Sequence, residues 1–255
     1  MASIFVTGSS DGIGLEAARQ LVAAGHRVVL HGRSRRRADH AMKSVPGAAG
    51  SAVGDLSDIA GIQDVAGSAN DLGPYDVVIH NAGVYVLPKR QVSRGGTERV
   101  FTVNVLAPYL LTTRMPVPSR LVYLSSGLAS GGRVNLVDPQ WQDRRWNGMQ
   151  AYRDSKLYVI MLTFAVARRY PQVRSNAVDP GWVATKMGGA SAPVSVPEGA
   201  DTPVWLAASS DPAALVSGRL FTRRAAVTAS PAAYDVGLQD ALLDACAGLT
   251  GVSLL

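Results

Sequence analysis

The segment from Tyr152 to Lys156 places a phenol and an amine four residues apart. In a helix, this spacing puts both side chains on one face. An ammonium group beside a phenol favours the phenolate and lowers a pKa that is ordinarily about 10. The pair could therefore make Tyr152 an acid or base in proton transfer. A Tyr and a Lys at this spacing also occur as a simple surface pair, and the spacing alone does not separate these interpretations.

A glycine-rich turn follows the first apolar run of the chain. Gly8 permits a tight turn, Gly12 lets the backbone approach a pyrophosphate, and Gly14 allows close packing of the next helix. The N-terminus of that helix favours negative charge. The turn therefore predicts a nucleotide site. Besides the glycines, its candidate contacts are Ser10, Asp11 and Ile13.

The residues after the second predicted strand bear on the choice of nucleotide. An NAD site usually carries a carboxylate there for the ribose 2′-hydroxyl, whereas arginine suits a 2′-phosphate. Here Arg33 and Ser34 follow the strand, and Arg35 to Arg37 add positive charge. We predict a preference for NADP(H), in which Arg33 and Ser34 bind the phosphate. The alternative is an NAD(H) site beside a solvated run of charge.

These motifs belong to a longer series in the order and approximate spacing of a known family. The other members of the series follow in chain order: Asp55, Asn81, Ala82, Gly83, Asn104, Ser125, Ser126, Pro180, Gly181 and Thr185. Each element taken alone also fits a turn, a polar strand end or a helix cap. Taken together, the chain from its start to about Thr185 resembles the short-chain dehydrogenase/reductase family.

The resemblance implies roles for individual residues. Tyr152 corresponds to the catalytic acid or base, and Lys156 to the residue that lowers its pKa and holds the nicotinamide ribose. Ser126 corresponds to the serine that hydrogen-bonds the substrate oxygen, and Asn104 to the asparagine that orders a water in a proton relay. The resemblance places further cofactor contacts at Asp55, Leu56, Asn81, Ala82, Gly83, Pro180, Gly181, Val183 and Thr185.

The implied function is interconversion of a carbonyl and an alcohol by hydride transfer. A different class of answer is a regulatory protein that binds NADP(H) without turnover, although such relatives tend to lose the Tyr and Lys pair. Epimerase or dehydratase chemistry is a further alternative. It usually goes with a different glycine spacing and a larger C-terminal domain, for which 255 residues leave no room.

Two features depart from the compact members of the family. The stretch from Ser126 to Tyr152 is long, as in the retinol dehydrogenase-like branch, and its Trp141 and Trp146 are expected to anchor an insertion rather than line a substrate pocket. Pro108 removes a backbone hydrogen bond from the Asn104 helix and predicts a kink. Because this helix commonly forms the family's dimer interface, a homodimer or homotetramer is only one possibility.

The elements that must position these residues follow from alternating apolar runs and helical periods. The pattern predicts one Rossmann-type, doubly wound α/β domain over residues 1–255, with helices on both faces of a parallel sheet. Strands are expected at Ile4–Val6, Arg27–Leu30, Ser51–Val53, Val77–His80, Leu121–Leu124, Ser175–Val178 and Arg219–Phe221. The clearest helices are Ile13–Ala24, a segment that Ser57 could cap, Thr97–Met115 and Ala151–Tyr170.

Loops are predicted at Gly127–Gln150 and Thr185–Gly199, and residues about 185–200 are expected to form a substrate loop. In or near that loop, Met187, Val194, Val196 and Trp205 suggest a partly apolar pocket for a small carbonyl or alcohol. They do not identify the molecule.

Composition limits the remaining classes. The net charge of +6 arises mainly from scattered arginine without interleaved aromatic residues, which does not favour nucleic-acid binding. Cys246 is the single cysteine, so no internal disulfide can form. No targeting signal, membrane span or metal-binding motif is evident in the sequence, and we expect a cytoplasmic protein without a metal.

Overall fold

The computed structural model of the protein describes residues 1–254, which build one sheet between two helical layers. The strands are β1 (Ser3–Val6), β2 (Arg27–Gly32), β3 (Gly50–Val53), β4 (Val77–His80), β5 (Arg120–Leu124), β6 (Arg174–Val178), β7 (Arg219–Thr222) and β8 (Ala225–Val227). Their order is β3-β2-β1-β4-β5-β6-β7-β8. The seven predicted strands are confirmed as parallel, and β8 adds an antiparallel edge that the sequence analysis missed.

Alternate residues of the strands enter two separate cores. Ile4 and Val6 of β1 pack in one cluster, whereas Phe5 between them packs in the other. Successive side chains of a strand point to opposite faces, so a strand covered on both faces must be apolar throughout. This explains why the strands appear in the sequence as short continuous apolar runs.

The helices divide between these two faces. The first layer contains α1 (Gly12–Ala23), α2 (Arg35–Ser44) and α7 (Val196–Ala208). The second contains α3 (Ile59–Leu72), α4 (Arg99–Phe101), α5 (Ala107–Arg114), α6 (Gly148–Arg169), α8 (Pro231–Tyr234) and α9 (Val236–Thr250). Short 3-10 turns occur at Gly127–Gly131 and Pro212–Ala214.

The predicted helix over Thr97–Met115 is interrupted rather than regular. Between α4 and α5, residues Thr102–Leu106 form a π-helical segment in which the Ala107 N–H donates to the Thr102 carbonyl, five residues back. Pro108 follows at the start of α5 and has no N–H to offer Asn104, four residues earlier. The local widening accommodates the proline at the position where the sequence predicted a kink.

Some predicted boundaries and caps are wrong. Asp58, not Ser57, precedes α3, because the Ser57 N–H is held by the Asp55 carboxylate at 2.9 Å. The catalytic-helix candidate α6 begins at Gly148, capped by Asn147, three residues earlier than expected. The loop predicted to reach Gly199 ends sooner, because a Ser195–Glu198 capping box starts α7 at Val196.

The strand order reverses between β1 and β4, the neighbours at the centre of the sheet. Loops from two adjacent strands diverge at such a point and leave a crevice at their carboxyl ends. The glycine turn follows β1, and Asn81 follows β4. The fold therefore brings both motifs to the crevice. No helix within residues 1–254 is long and apolar enough to cross a membrane.

Candidate active site

The glycine turn is packed too closely for side chains at two of its three glycines. Gly8 adopts φ +63°, and a Cβ there would lie 2.9 Å from the Ala82 Cα. A Cβ on Gly14 would lie 2.2 Å from the Asn81 amide nitrogen, which donates to the Thr7 and Gly8 carbonyls at 2.9 and 3.2 Å. Asn81 thus fastens the turn to β4, and Gly14 makes room for its amide.

His31 supports the turn from below, which the sequence analysis did not anticipate. Its Nδ1 accepts the Gly8 N–H at 2.9 Å, and its Nε2 lies 3.0 Å from the Gly54 carbonyl. This pairing requires the tautomer that carries hydrogen on Nε2. Burial lowers the pKa of His31 and keeps the ring neutral, despite the Gly54 hydrogen bond and the charge of Asp55.

Positive charge lines the crevice beyond β2. Arg33 and Arg37 both line the cavity, and Arg37 lies 3.8 Å from the Asp11 carboxylate. Asp11 also pairs with Lys186 and caps the Gly12 N–H at 2.9 Å. Ser34 does not line the cavity, so its predicted contact with a 2′-phosphate finds no support. It precedes α2 instead.

Tyr152, Lys156 and Ser126 line the same cavity. The first two are 6% and 5% exposed. The Lys156 amine donates to the Leu124 carbonyl at 2.7 Å and lies 5.8 Å from the centre of the Tyr152 ring. The Ser125 hydroxyl donates to the Lys156 carbonyl at 2.8 Å, which ties α6 to the end of β5. This tie sets α6 beside the serine pair.

The direction in which the pKa of Tyr152 is shifted differs from the sequence prediction. Burial is the main cause that raises the pKa of Tyr152 to about 12; the nearby Tyr85 and the charge of Asp179 act in the same direction, and the Ser126 hydroxyl acts against them. Burial also lowers the pKa of Lys156 to about 8. The expected lowering of the Tyr152 pKa by Lys156 is therefore wrong for this structure, because the amine faces Leu124 and desolvation dominates.

Asn104 lies behind the cavity rather than on its wall. Its carboxamide oxygen accepts the Val84 N–H at 2.9 Å, and its nitrogen donates to the Val84 carbonyl and to the Ser155 hydroxyl at 3.1 and 2.9 Å. The side chain thus joins the loop after β4 to α6. Both of its N–H groups are donated to protein atoms. The water-ordering role implied by the resemblance stays a prediction.

The remaining predicted cofactor residues also border the cavity, apart from Gly14 and Ser34. They are Gly8, Ser10, Asp11, Gly12, Ile13, Asp55, Leu56, Asn81, Ala82, Gly83, Pro180, Gly181, Val183 and Thr185. The cavity measures about 870 Å³. Its volume, its glycine turn and the arginines Arg33 and Arg37 beyond β2 fit a dinucleotide.

Some cavity residues were not predicted as site residues from the sequence. Tyr85 contacts Tyr152 edge to face, with ring centres 4.8 Å apart. Asp179 and Trp182 flank the predicted Pro180–Gly181 pair, and Asp179 accepts the Gly181 N–H at 3.0 Å. Their positions just beyond β4 and β6 are the signal that could have found them, because ligands bind at these strand ends.

The expected apolar pocket residues divide between the cavity and the core. Met187 lines the cavity. Trp205 is instead buried against Phe221 in the first-layer core, and neither Val194 nor Val196 borders the cavity. These three predictions are wrong: Val196 and Trp205 belong to α7, which carries them away from the crevice, and Val194 is held by backbone hydrogen bonds to Trp182 and Ala184.

The insertion between Ser126 and Tyr152 is anchored by its tryptophans. Trp146 donates to the Leu87 carbonyl at 3.0 Å and meets Trp141 at 5.8 Å between ring centres. The Arg144 guanidinium stacks on Trp141 at 3.6 Å. Neither tryptophan borders the cavity. Within residues 1–254, no cluster of three or more His, Cys, Asp or Glu side chains could hold a metal ion.

Comparison with known proteins identifies the family. The sequence profile described as short chain dehydrogenase matches residues 2–193. Short-chain dehydrogenase chyC from Penicillium rubens is 38% identical, over 100% of this chain and 99% of that protein. The Streptomyces sp. (strain C5) protein described as "Putative daunorubicin C-13 ketoreductase DnrU" is 32% identical over 98% of this chain and 92% of its own. Human retinol dehydrogenase 13 is 30% identical over 73% and 60%.

Solved structures agree with the fold. A Mycobacterium paratuberculosis protein superposes with a TM-score of 0.87 at 26% identity, over 100% of this chain and 95% of that one. A blue fluorescent protein from a metagenomic library, in complex with NADPH, gives a TM-score of 0.69 at 25% identity over 86% and 94%. The chain therefore belongs to the short-chain dehydrogenase/reductase family of NAD(P)-dependent oxidoreductases.

Proposed function

We propose that the protein uses NADP(H) to interconvert a carbonyl group and an alcohol, with Tyr152 as the acid or base. The observation that carries this proposal is that Tyr152, Ser126 and Lys156 line the same cavity as the glycine turn. When bound, the nicotinamide supplies or accepts the hydride. Gly8, Gly12, Asn81 and Lys156 are among the residues that would hold the dinucleotide.

The protein's own groups can carry the proton. A phenol whose pKa is about 12 stays protonated at neutral pH, so Tyr152 is ready to donate a proton to a carbonyl oxygen. The Ser126 hydroxyl can donate to the same oxygen and stabilise its developing charge. Lys156 is mostly cationic at pH 7 with a pKa of about 8, and its amine donates to the Leu124 carbonyl in the same cavity. This protonation state suits the reductive direction.

Charge beyond β2 supports the preference for NADP(H). Arg33 and Arg37 line the cavity there, and β2 ends in His31 and Gly32 without a carboxylate. Guanidinium groups bind phosphate through paired hydrogen bonds. The solved relative with bound NADPH is consistent with this choice.

The test measures NADPH oxidation with a panel of aldehydes and ketones. We expect Tyr152→Phe to lower kcat by at least about 100-fold while NADPH binding is retained. Binding by the unaltered protein with no turnover across the panel would favour a non-catalytic NADP(H) sensor instead.

A second measurement tests the cofactor preference. We expect Arg33→Ala and Arg37→Ala each to weaken NADPH binding by about tenfold while NADH binding changes little. Arg36→Ala is the matched control, because Arg36 is exposed and does not border the cavity. An undiminished preference for NADPH in both cavity variants would contradict the assignment.

A further inference from the structure

Large apolar side chains are exposed on both sides of the proton donor. Tyr85 is 37% exposed, Trp182 is 57% exposed and Met187 is 46% exposed, and all three border the cavity of Tyr152. Exposed apolar surface gathered in a concave site is typical of a ligand-binding wall.

The sheet order explains how these residues surround the chemistry. Tyr85 lies on the loop after β4, Ser126 follows β5, and Trp182 lies on the loop after β6. Strand β5 stands between β4 and β6. One aromatic ring therefore rises on each side of the strand end that carries Ser126.

The rings are held in place rather than free to fold away. The Trp182 indole N–H donates to the Gly188 carbonyl at 2.8 Å, and a Cβ on Gly188 would lie 3.3 Å from the indole Cδ1. Tyr85 is held edge to face against Tyr152. Preorganised aromatic faces bind a flat ring at low entropic cost.

Several charged cavity groups near these rings already have partners. Lys186 pairs with Asp11, Arg99 donates to the Gln91 carboxamide at 2.8 Å, and the Asp179 carboxylate accepts the Gly181 N–H. The aromatic and methionine faces are the larger surface left for a ligand to cover.

Resting on the proposed carbonyl chemistry, we infer that the substrates are flat aromatic ketones or aldehydes whose ring lies between Tyr85 and Trp182. Tyr152 and Ser126 lie between the two loops and meet the carbonyl oxygen. Trp182 is then a specificity-determining residue, because it selects the ring without transferring a proton.

The experiment compares matched ketones that differ only in ring saturation. Acetophenone is paired with cyclohexyl methyl ketone, and 2-acetonaphthone with its decahydro analogue. The aromatic-to-saturated ratio of kcat/KM is compared between the unaltered protein and each variant, which cancels the intrinsic reactivity of the ketones. We expect Trp182→Leu and Tyr85→Leu each to lower this ratio by about two- to tenfold.

Two further variants serve as controls. Trp182→Phe keeps a ring and should preserve most of the ratio. Tyr234→Leu should leave it unchanged, because Tyr234 is a 45% exposed aromatic residue outside the cavity. The Kd for NADPH is measured in every variant. A parallel loss of NADPH affinity with an unchanged ratio in Trp182→Leu would show that the indole serves the cofactor, and would overturn the inference.

Measuring the binding of the same ketones by calorimetry distinguishes a failure of this inference from a failure of the proposed function. If the protein binds 2-acetonaphthone more tightly than its decahydro analogue but turns neither over, the aromatic site stands and the oxidoreductase function fails. Turnover of both ketones with a ratio that Trp182→Leu and Tyr85→Leu leave unchanged would overturn the aromatic site and leave the function intact.

Discussion

The acid–base behaviour of the site depends on single residues around one phenol. Burial is the largest influence on Tyr152 and raises its pKa to about 12, while Ser126 and Asp179 act in opposite directions. The hydrogen bond from Ser126 favours the phenolate, and the negative charge of Asp179 opposes it. Two neighbouring side chains therefore tune the pH at which Tyr152 can accept a proton.

We expect Asp179→Asn to shift alcohol oxidation to lower pH. Oxidation requires the phenolate of Tyr152, so its rate rises with pH through the pKa of that group. Removing the negative charge lowers the pKa, and the rising limb of kcat/KM should move toward neutrality. The measurement is the pH profile of NADP⁺ reduction with a fixed alcohol.

The opposite change supplies the control for this profile. Ser126→Ala removes the hydrogen bond that lowers the Tyr152 pKa, so its limb should move to higher pH. A limb that stays in place in both variants would mean that another group, not Tyr152, sets the profile.

At the scale of elements, close packing of the glycine turn against β4 positions the crevice. Gly14→Ala would force a Cβ to within 2.7 Å of the Gly8 carbonyl as well as against the Asn81 amide. The Gly8 carbonyl and the Asn81 amide are hydrogen-bonded to each other, so neither can move away without losing that bond. We expect a loss of about 1–3 kcal/mol in the free energy of unfolding, together with weaker NADPH binding, measured by urea denaturation and fluorescence titration.

Gly67→Ala is the matched control for this prediction. Gly67 lies inside α3, and a Cβ there meets nothing within 4 Å. Because alanine is the better helix former, this variant should gain about 0.5–1 kcal/mol. Equal effects at both positions would show that helix propensity, and not the packed turn, decides the outcome.

The insertion is held to α6 by a buried carboxylate. Asp154 accepts the Arg133 N–H and the Gln150 amide at 2.8 and 2.7 Å, and Arg144 lies 3.7 Å from its second oxygen. Asp154→Ala leaves a backbone N–H without its partner. We expect a loss of about 1–3 kcal/mol in stability and faster limited proteolysis within residues 133–147.

The exposed neighbour Asp143 provides the comparison for Asp154. The side chain of Asp143 is exposed, so Asp143→Ala should change neither stability nor cleavage. Similar protease sensitivity in the two variants would argue that the insertion is held mainly by Trp141 and Trp146.

Among the strands, the sequence predicted the seven parallel ones and missed the antiparallel one at the edge. Strand β8 has three residues, all of them exposed, and it is joined to β7 by Arg223 and Arg224 at φ +48° and +61°. Hairpin turns with positive φ at both positions usually contain asparagine or glycine. With arginine at both positions, the hairpin carries no turn signal.

Site residues that belong to a local sequence motif could be predicted. Site residues that are brought together only by folding could not. The turn of Gly8 and Gly12 carries its own signal in the sequence. The aromatic pair of Tyr85 and Trp182 arises because loops from β4 and β6 meet across β5, and no spacing along the chain encodes that meeting. The direction of the Tyr152 pKa was likewise set by burial, which only the folded chain reveals.

At the scale of the whole molecule, an excess of positive charge coincides with an opening for an anionic ligand. The net charge is +6, and the cluster Arg33 to Arg37 accounts for four positive charges beside the cavity. Such a field raises the local concentration of a phosphorylated ligand and speeds its binding. The composition that did not favour nucleic-acid binding therefore suits a polyanionic cofactor.

This distribution predicts a cofactor-dependent response to salt. NADPH carries a 2′-phosphate that NADH lacks, and the arginines that would face it lie partly in solvent, where ions screen within about 8–10 Å. Raising salt from 50 to 300 mM should therefore weaken NADPH binding more than NADH binding, and Arg33→Ala should reduce the difference. Thermal unfolding provides the readout, since ligand at 100 times its Kd adds about 2.7 kcal/mol of stability. Equal salt dependence for the two cofactors would place the 2′-phosphate away from these arginines. Other residues of the crevice would then have to determine any preference between NADP(H) and NAD(H).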